Sequence, residues 1–203
     1  SPAEGVRIEK TPGGWAVHTR ETTHRARSLV VAAGAWTGSL LPALAPHLRV
    51  VRKPLLWYPP APGIPSDAPV NLYETSTGVF YGFPPDAAGM NKVAEHTGGE
   101  TVADPLHVDR SLRESDLAPV TGFLSRHLPG IDVQAEPEHA ICMYTLSPDN
   151  HFLVGAPQAG LAVAAGLSGH GYKFAPVLGE ALADLALTGD SPLPLGAFSL
   201  NRF

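Results

Sequence analysis

Ser168, Gly169, His170, Gly171 and Lys173 place a hydroxyl, two permissive backbone positions, an imidazole and an amine within one short stretch. The apolar run at 161–167 that leads into them has the pattern of a strand buried on both faces. From Phe174 the apolar residues Phe174, Val177, Leu178, Ala181, Leu182 and Leu185 recur at helical spacing. The unit is therefore strand, glycine loop, helix. Its glycines let the backbone turn sharply and approach a ligand closely. The helix N-terminus offers unpaired N–H groups and a partial positive charge, a seat for an anion or an electron-rich ring. A lysine is repelled by that end of the dipole, so Lys173 calls for an anionic partner. Such a turn also serves as ordinary fold punctuation, and the loop alone leaves both readings open.

Other reactive groups are few. Cys142 is the single cysteine, which forbids an internal disulfide and fits a reducing cytoplasm. On residue type alone it is a small buried hydrophobe; as a thiolate it would be a nucleophile. Lys92 and His96 read as polar groups of a strand and its end. Tyr81 and Tyr144 fall in strand-like runs, where aromatic residues are expected to pack. Asp149 and His151 have no third ligand at a sensible spacing, so no metal is expected. G-x-S-x-G is absent, which removes a hydrolase elbow.

The elements that must carry these groups follow from the pattern. A chain of 203 residues can bury a real core. Its net charge of −5, with no basic run, argues against nucleic acid or an anionic membrane as a partner. No apolar run approaches the roughly 20 residues that span a bilayer, and the start, SPAEGVRIEK, does not read as a signal peptide. Two alternating runs around Pro12-Gly13-Gly14 form a hairpin, with a third strand near His24–Arg27. The run 28–33 is a buried strand closed by Gly34-Ala35-Trp36. Thr37–Leu44 then opens a helix, with Thr37 as its N-cap. Leu48–Tyr58 is strand-like, although Pro54 suggests an edge or a bulge. Short strands follow near 70–72, 79–83 and 90–94, then a helix over 115–127, and strands near 135–144 and 152–155.

The expected class is α+β: an antiparallel catalytic sheet flanked by helices, plus the C-terminal pieces of an incomplete Rossmann-like domain. Residues 1–45 and 156–203 belong to the latter, and 46–155 to the former. No G-x-G-x-x-G follows a strand, so the first half of a dinucleotide-binding domain is not in this sequence.

Five motifs occur in one order: VVAAGAW at 30–36, YGFP at 81–84 with Lys92 and His96 after it, CMYTLSPDNHF at 142–152, AAGLSGHGYKF at 164–174 and FSLNRF at 198–203. Together they resemble the monomeric sarcosine oxidase and N-methyltryptophan oxidase family of flavoproteins, over nearly the whole chain. The resemblance implies the C-terminal half of an FAD-dependent oxidase of secondary amino acids, which uses O2 and yields an imine and hydrogen peroxide. It implies a thioether from Cys142 to the flavin 8α-methyl group. It places Gly34, Trp36, Ser168, Gly169, His170, Gly171 and Lys173 at the cofactor. Lys173 also meets the substrate carboxylate, Lys92 sits by flavin N5 and assists oxygen reduction, His96 lies near the cavity, and Tyr81 and Tyr144 line the substrate pocket.

Three alternatives stay open. The chain by itself is a folded fragment without FAD, or it belongs to a related dehydrogenase, or it is a stand-alone binding module. A bare apolar face around 28–33 and 161–167 would mark the fragment, with the missing half or a second copy as its cover.

Overall fold

A computed structural model describes residues 5–203; the first four residues of the segment tested above for a signal peptide lie outside it. The chain divides into two compact units. The first holds the described residues up to Val51, with Thr101–His107 and Tyr144–Phe203; the second holds Arg52–Glu100 and Val108–Met143.

In the first unit, β1 (Arg7–Thr11), β2 (Gly14–His18) and β3 (Thr23–Ala26) form an antiparallel meander. β4 (Leu29–Val31) runs parallel to β11 (Leu161–Ala165), which pairs antiparallel on its other side with β10 (Leu153–Gln158). Every residue of β11 is buried, as its unbroken apolar run predicts. Ala162 and Ala164 face helix α3 (Ala175–Thr188), where Leu178, Leu182, Leu185 and Ala186 cover them. Leu161, Val163 and Ala165 pack instead with Trp15, Val31, Leu44 and Leu153. The alanines keep the sheet-to-helix distance short, and the larger residues fill the opposite layer. The apolar seam at 161–165 is thus covered within the unit, whereas Val30 on β4 is 43% exposed. Tyr172, Val177 and Leu187 are exposed as well.

One expected helix is shorter than its pattern suggested. Thr37–Leu44 resolves into a single turn, α1 (Thr37–Leu40), between 3-10 turns at Gly34–Trp36 and Pro42–His47. Pro42 and Pro46 lack the N–H that a continuing helix needs, and their rings clash with the preceding turn. Thr37 is the first helical residue and not the cap. It is wholly buried, and its hydroxyl has no partner among the described residues.

The other sheet has the order β6 (Asn71–Thr75), β7 (Gly78–Gly82), β8 (Asn91–Glu95), β5 (Arg49–Tyr58), β9 (Glu138–Leu146). β5 is interior in that order despite Pro54. Its register with β8 uses Leu56, Trp57 and Tyr58, beyond the proline, so the missing N–H is not needed in that ladder. In the second unit Leu56, Tyr58, Phe80 and Val93 pack against Val120, Phe123 and Leu124 of α2 (Glu114–His127). Phe123 is the centre of this core. It stacks on Phe80 at 4.5 Å and meets Tyr73 edge-on at 5.2 Å.

Two cations are buried at the start of β5. Arg52 is 3% exposed, and its guanidinium donates to the Asp109 carbonyl at 2.8 Å, to the Ser111 carbonyl and to the Asp116 carboxylate at 2.5 Å. Asp116 also accepts the Arg113 N–H at 2.9 Å, which closes the first turn of α2. Lys53 Nζ donates to the Thr97 carbonyl at 2.6 Å. Burial lowers its pKa from the ordinary lysine value, and Glu95 opposes that shift.

Phe123→Ala should empty the centre of the second unit's core and cost about 3–5 kcal/mol, read as a lower urea midpoint. A change below about 1 kcal/mol would show that the sheet and α2 do not share this core.

Candidate active site

Two groups of candidate residues are built by two different local devices. The first belongs to the first unit and depends on the turn after β11. Ser168 has φ +49°, a left-handed conformation that costs a non-glycine residue roughly 1–3 kcal/mol. Its surroundings hold it there. The side chain is buried, its Oγ donates to the Gly166 carbonyl at 2.9 Å, and the Ser147 N–H donates back to that oxygen at 3.3 Å. The Ser168 N–H is tied to the Thr145 carbonyl at 3.0 Å. Gly169 follows with φ +81°. A Cβ there would lie 2.2 Å from the ring of Tyr144, so only glycine fits. Gly171 is crowded in the same manner, its hypothetical Cβ falling 2.6 Å from the Leu167 side chain.

The loop therefore brings Gly169 against Tyr144 of β9, ties Ser168 to Thr145 and sets the His170 ring beside Phe152. Ser168 turns inward and serves the turn itself. His170 Nδ1 lies 3.0 Å from the Ser168 carbonyl, and its ring is 5.1 Å from Phe152. Lys173 sits in the 3-10 turn Tyr172–Phe174 that feeds α3, and it is exposed. Its Nζ lies 5.9 Å from the centre of the Phe174 ring. The amine is thus held at a helix entrance and directed to solvent.

Gly34 and Trp36 line a separate cavity of about 630 Å³ in this unit, together with Ala32, Ala33, Ser39 and Leu40. Gly34 has φ +52°, and a Cβ at that position would meet nothing within 4 Å. The Trp36 indole N–H is buried with no partner among the described residues. A small-molecule group with an acceptor would satisfy it, and the volume lies in the range of ligand sites.

The second group belongs to the second unit. Pairing of Trp57 with Lys92 and of Tyr81 with Ala94 sets the register of β5, β7 and β8. Alternation then puts Trp57, Tyr81, Phe83 and Lys92 on the face opposite the Phe80–Phe123 core. Lys92 Nζ lies 5.0 Å from the centres of both the Trp57 and Phe83 rings. Tyr81 meets Phe83 edge-on at 6.0 Å. The two rings hold the ammonium by cation–π attraction, worth about 0.5–1 kcal/mol each at such a site. His96 follows β8, and its N–H donates to the Val79 carbonyl at 2.7 Å. Cys142 lies in β9 and is exposed, contrary to the buried role its residue type suggests. Its Sγ is 3.7 Å from the Met143 carbonyl, and Arg110 donates to the Ile141 carbonyl just before it at 2.7 Å.

Sequence reasoning passed over the rings of Trp57 and Phe83 that cradle Lys92. The signal was the period-2 pattern of β5 read against β8, which is usable only once the register is known. It also passed over Ser147, whose backbone joins the turn at Ser168.

The chain can be set beside known proteins. A family model described as FAD dependent oxidoreductase matches residues 1–185. The monomeric sarcosine oxidase of Streptomyces avermitilis is 37% identical over 97% of this chain and 53% of its own length. The N-methyl-L-tryptophan oxidase of Yersinia pestis is 36% identical, with the same coverage of 97% and 53%. Among solved structures, the open form of NikD, an amino acid oxidase of nikkomycin biosynthesis, superposes with a TM-score of 0.77 at 23% identity, covering 96% of this chain and 53% of that one. The chain thus spans about half the length of the curated relatives it matches. Matched over most of its residues, and folded as the α+β arrangement its motifs imply, the chain belongs to the FAD-dependent oxidoreductases.

Proposed function

We propose that this chain is the C-terminal part of an FAD-dependent oxidase of secondary, N-methyl amino acids. The observation that carries the reading is the turn at Ser168–Gly169: a left-handed backbone pressed against Tyr144 that delivers Lys173 to the entrance of α3. It leaves an exposed backbone at Gly169 near an exposed cation, which suits a flat ring and a carboxylate. The relatives of highest identity given above are named for sarcosine and N-methyl-L-tryptophan, both small N-methylated amino acids.

The residues fit FAD. Ala32–Trp36 would hold part of it, supported by the open approach at Gly34 and the Trp36 indole N–H, which is buried without a partner among the described residues. Gly169 and His170 would present backbone to the ring system, with buried Gly171 supporting the turn behind them. Cys142, exposed on β9, would supply the thiol for a thioether to the 8α-methyl carbon. When bound, the flavin accepts two electrons from the carbon next to nitrogen and passes them to O2, giving an imine and hydrogen peroxide.

The chain's own residues do the positioning. Lys173 pairs with the substrate carboxylate, which answers the unfavourable placement of a lysine at a helix entrance. Tyr81 and Tyr144 would each contact the substrate. Lys92, held between Trp57 and Phe83, offers a fixed positive charge where negative charge develops on oxygen, with His96 nearby in sequence. A dehydrogenase would have less use for that charge. The remainder of the complete protein would cover the exposed side chains of Tyr172, Val177 and Leu187.

Three outcomes test this in the complete protein. Lys173→Met should raise the KM for sarcosine or a related N-methyl amino acid at least about tenfold; an unchanged KM would remove its carboxylate role. Lys92→Met should slow reoxidation by O2 by about 10²–10³-fold and leave anaerobic reduction by substrate nearly intact, as seen by stopped-flow absorbance. Equal slowing of both steps would count against it. Cys142→Ser should release all yellow colour to the supernatant on acid precipitation, whereas the parent protein keeps it in the pellet.

A further inference from the structure

The closing motif Phe198–Phe203 plays no part in the chemistry above, yet its arginine is among the most extensively bonded side chains of the first unit. Arg202 Nε donates to Asp149 Oδ2 at 2.9 Å, and Nη2 donates to Asp149 Oδ1 at 2.8 Å. Nη2 also reaches the His151 carbonyl at 2.9 Å, and Nη1 reaches the carbonyls of Phe152 at 2.6 Å and Ser199 at 3.2 Å. The fork geometry of guanidinium on carboxylate makes this a directional clamp, not a loose ion pair.

Two routes lead from that clamp to the glycine loop. Along the first, Asp149 Oδ1 lies 3.0 Å from Ser147 Oγ and accepts the His151 N–H at 3.0 Å. Ser147 Oγ is in turn 2.5 Å from the His151 carbonyl, and the Ser147 N–H donates to Ser168 Oγ at 3.3 Å. The turn at 147–151, including Asn150 at φ +59°, is thereby fixed against the turn at 168–169. Along the second route, Phe152, whose carbonyl Arg202 binds, packs its ring on His170 at 5.1 Å, on Phe174 at 5.4 Å and on Phe198 at 5.4 Å. One route ends before Lys173 and the other on both sides of it. Arg202, through its hydrogen bonds, holds the Asp149 carboxyl well below its usual range.

We propose that Arg202 is a positioning residue for Lys173: clamped on Asp149 and on the Phe152 carbonyl, it fixes the loop at 168–174 and so aims the lysine at the substrate carboxylate. The part about the carboxylate rests on the reading of Lys173 given above; the part about the loop does not.

The test uses the complete flavoprotein. Probes are amide hydrogen exchange and binding of methoxyacetate, a carboxylate shaped like sarcosine without an oxidisable amine, followed by the flavin absorbance. Arg202→Met should speed exchange of peptides covering 166–174 by about tenfold or more, with peptides of α2 unchanged. It should weaken methoxyacetate and raise KM about tenfold while kcat stays within about threefold. Asp149→Asn should reproduce these changes, and the double variant should add little to either. Arg202→Lys, which keeps the charge and loses the fork, should fall between, and with Asp149→Asn it carries the test should Arg202→Met fail to fold. Exchange at 166–174 within twofold of the parent in both Arg202→Lys and Asp149→Asn would overturn the clamp. Faster exchange with unchanged methoxyacetate affinity and KM would overturn the link to Lys173. A parent protein that ignores methoxyacetate and N-methyl amino acids would overturn the substrate reading, and exchange alone would still decide the loop.

Discussion

The ring of Tyr144 occupies the space that any side chain at residue 169 would need. That single steric exclusion sets much of the first unit. It requires glycine at 169, and it leaves Ser168 to absorb an unfavourable backbone angle. Ser168 can do so because its buried hydroxyl donates to the Gly166 carbonyl and accepts from the Ser147 N–H. A fully buried strand precedes the turn and a helix follows it, so neither neighbour can relax to relieve the strain. The result is a rigid bend whose outer surface is bare backbone and whose next cation points outward. Strain of this kind persists only where the surroundings over-determine it, and here they are both steric and hydrogen-bonded.

The second unit solves a different problem, how to keep positive charge near apolar surface. Arg52 and Lys53 are taken inside and matched with carbonyls and carboxylates, since an unpaired buried charge is costly. Lys92 is handled otherwise. It stays partly accessible and rests between the faces of two aromatic rings, which stabilise a cation and leave its hydrogens available. The contrast separates cations tied into the fold from one left partly accessible.

Most strands were legible because alternation and β-branched runs survive any tertiary context; the helix read at 115–127 is Glu114–His127, and the uniform run at 161–165 is buried on both sides. The helix expected over Thr37–Leu44 is cut to Thr37–Leu40 because Pro42 and Pro46 interrupt it. Arg52 and Lys53 could not be recognised as buried, because their partners lie some 44 to 64 residues away in the chain and local pattern says nothing of them. At the site, the glycine loop and Lys173 announced themselves by composition, and the family motifs supplied Lys92 and Cys142. The aromatic cradle of Lys92 and the bonds of Arg202 stayed hidden, since both depend on register and on long-range return of the chain.

Strands β5 and β9 each begin in one compact unit and end in the other, and the short segment Thr101–His107 returns to the first unit from within the second. Neither unit is therefore a contiguous stretch of gene. A single crossover between two homologous genes within residues 52–143 would mix both units at once, and grafting one onto a foreign partner requires several coordinated joints. Shuffling is a blunt tool for such a chain, and gradual point substitution is the more open road by which relatives can change what they oxidise.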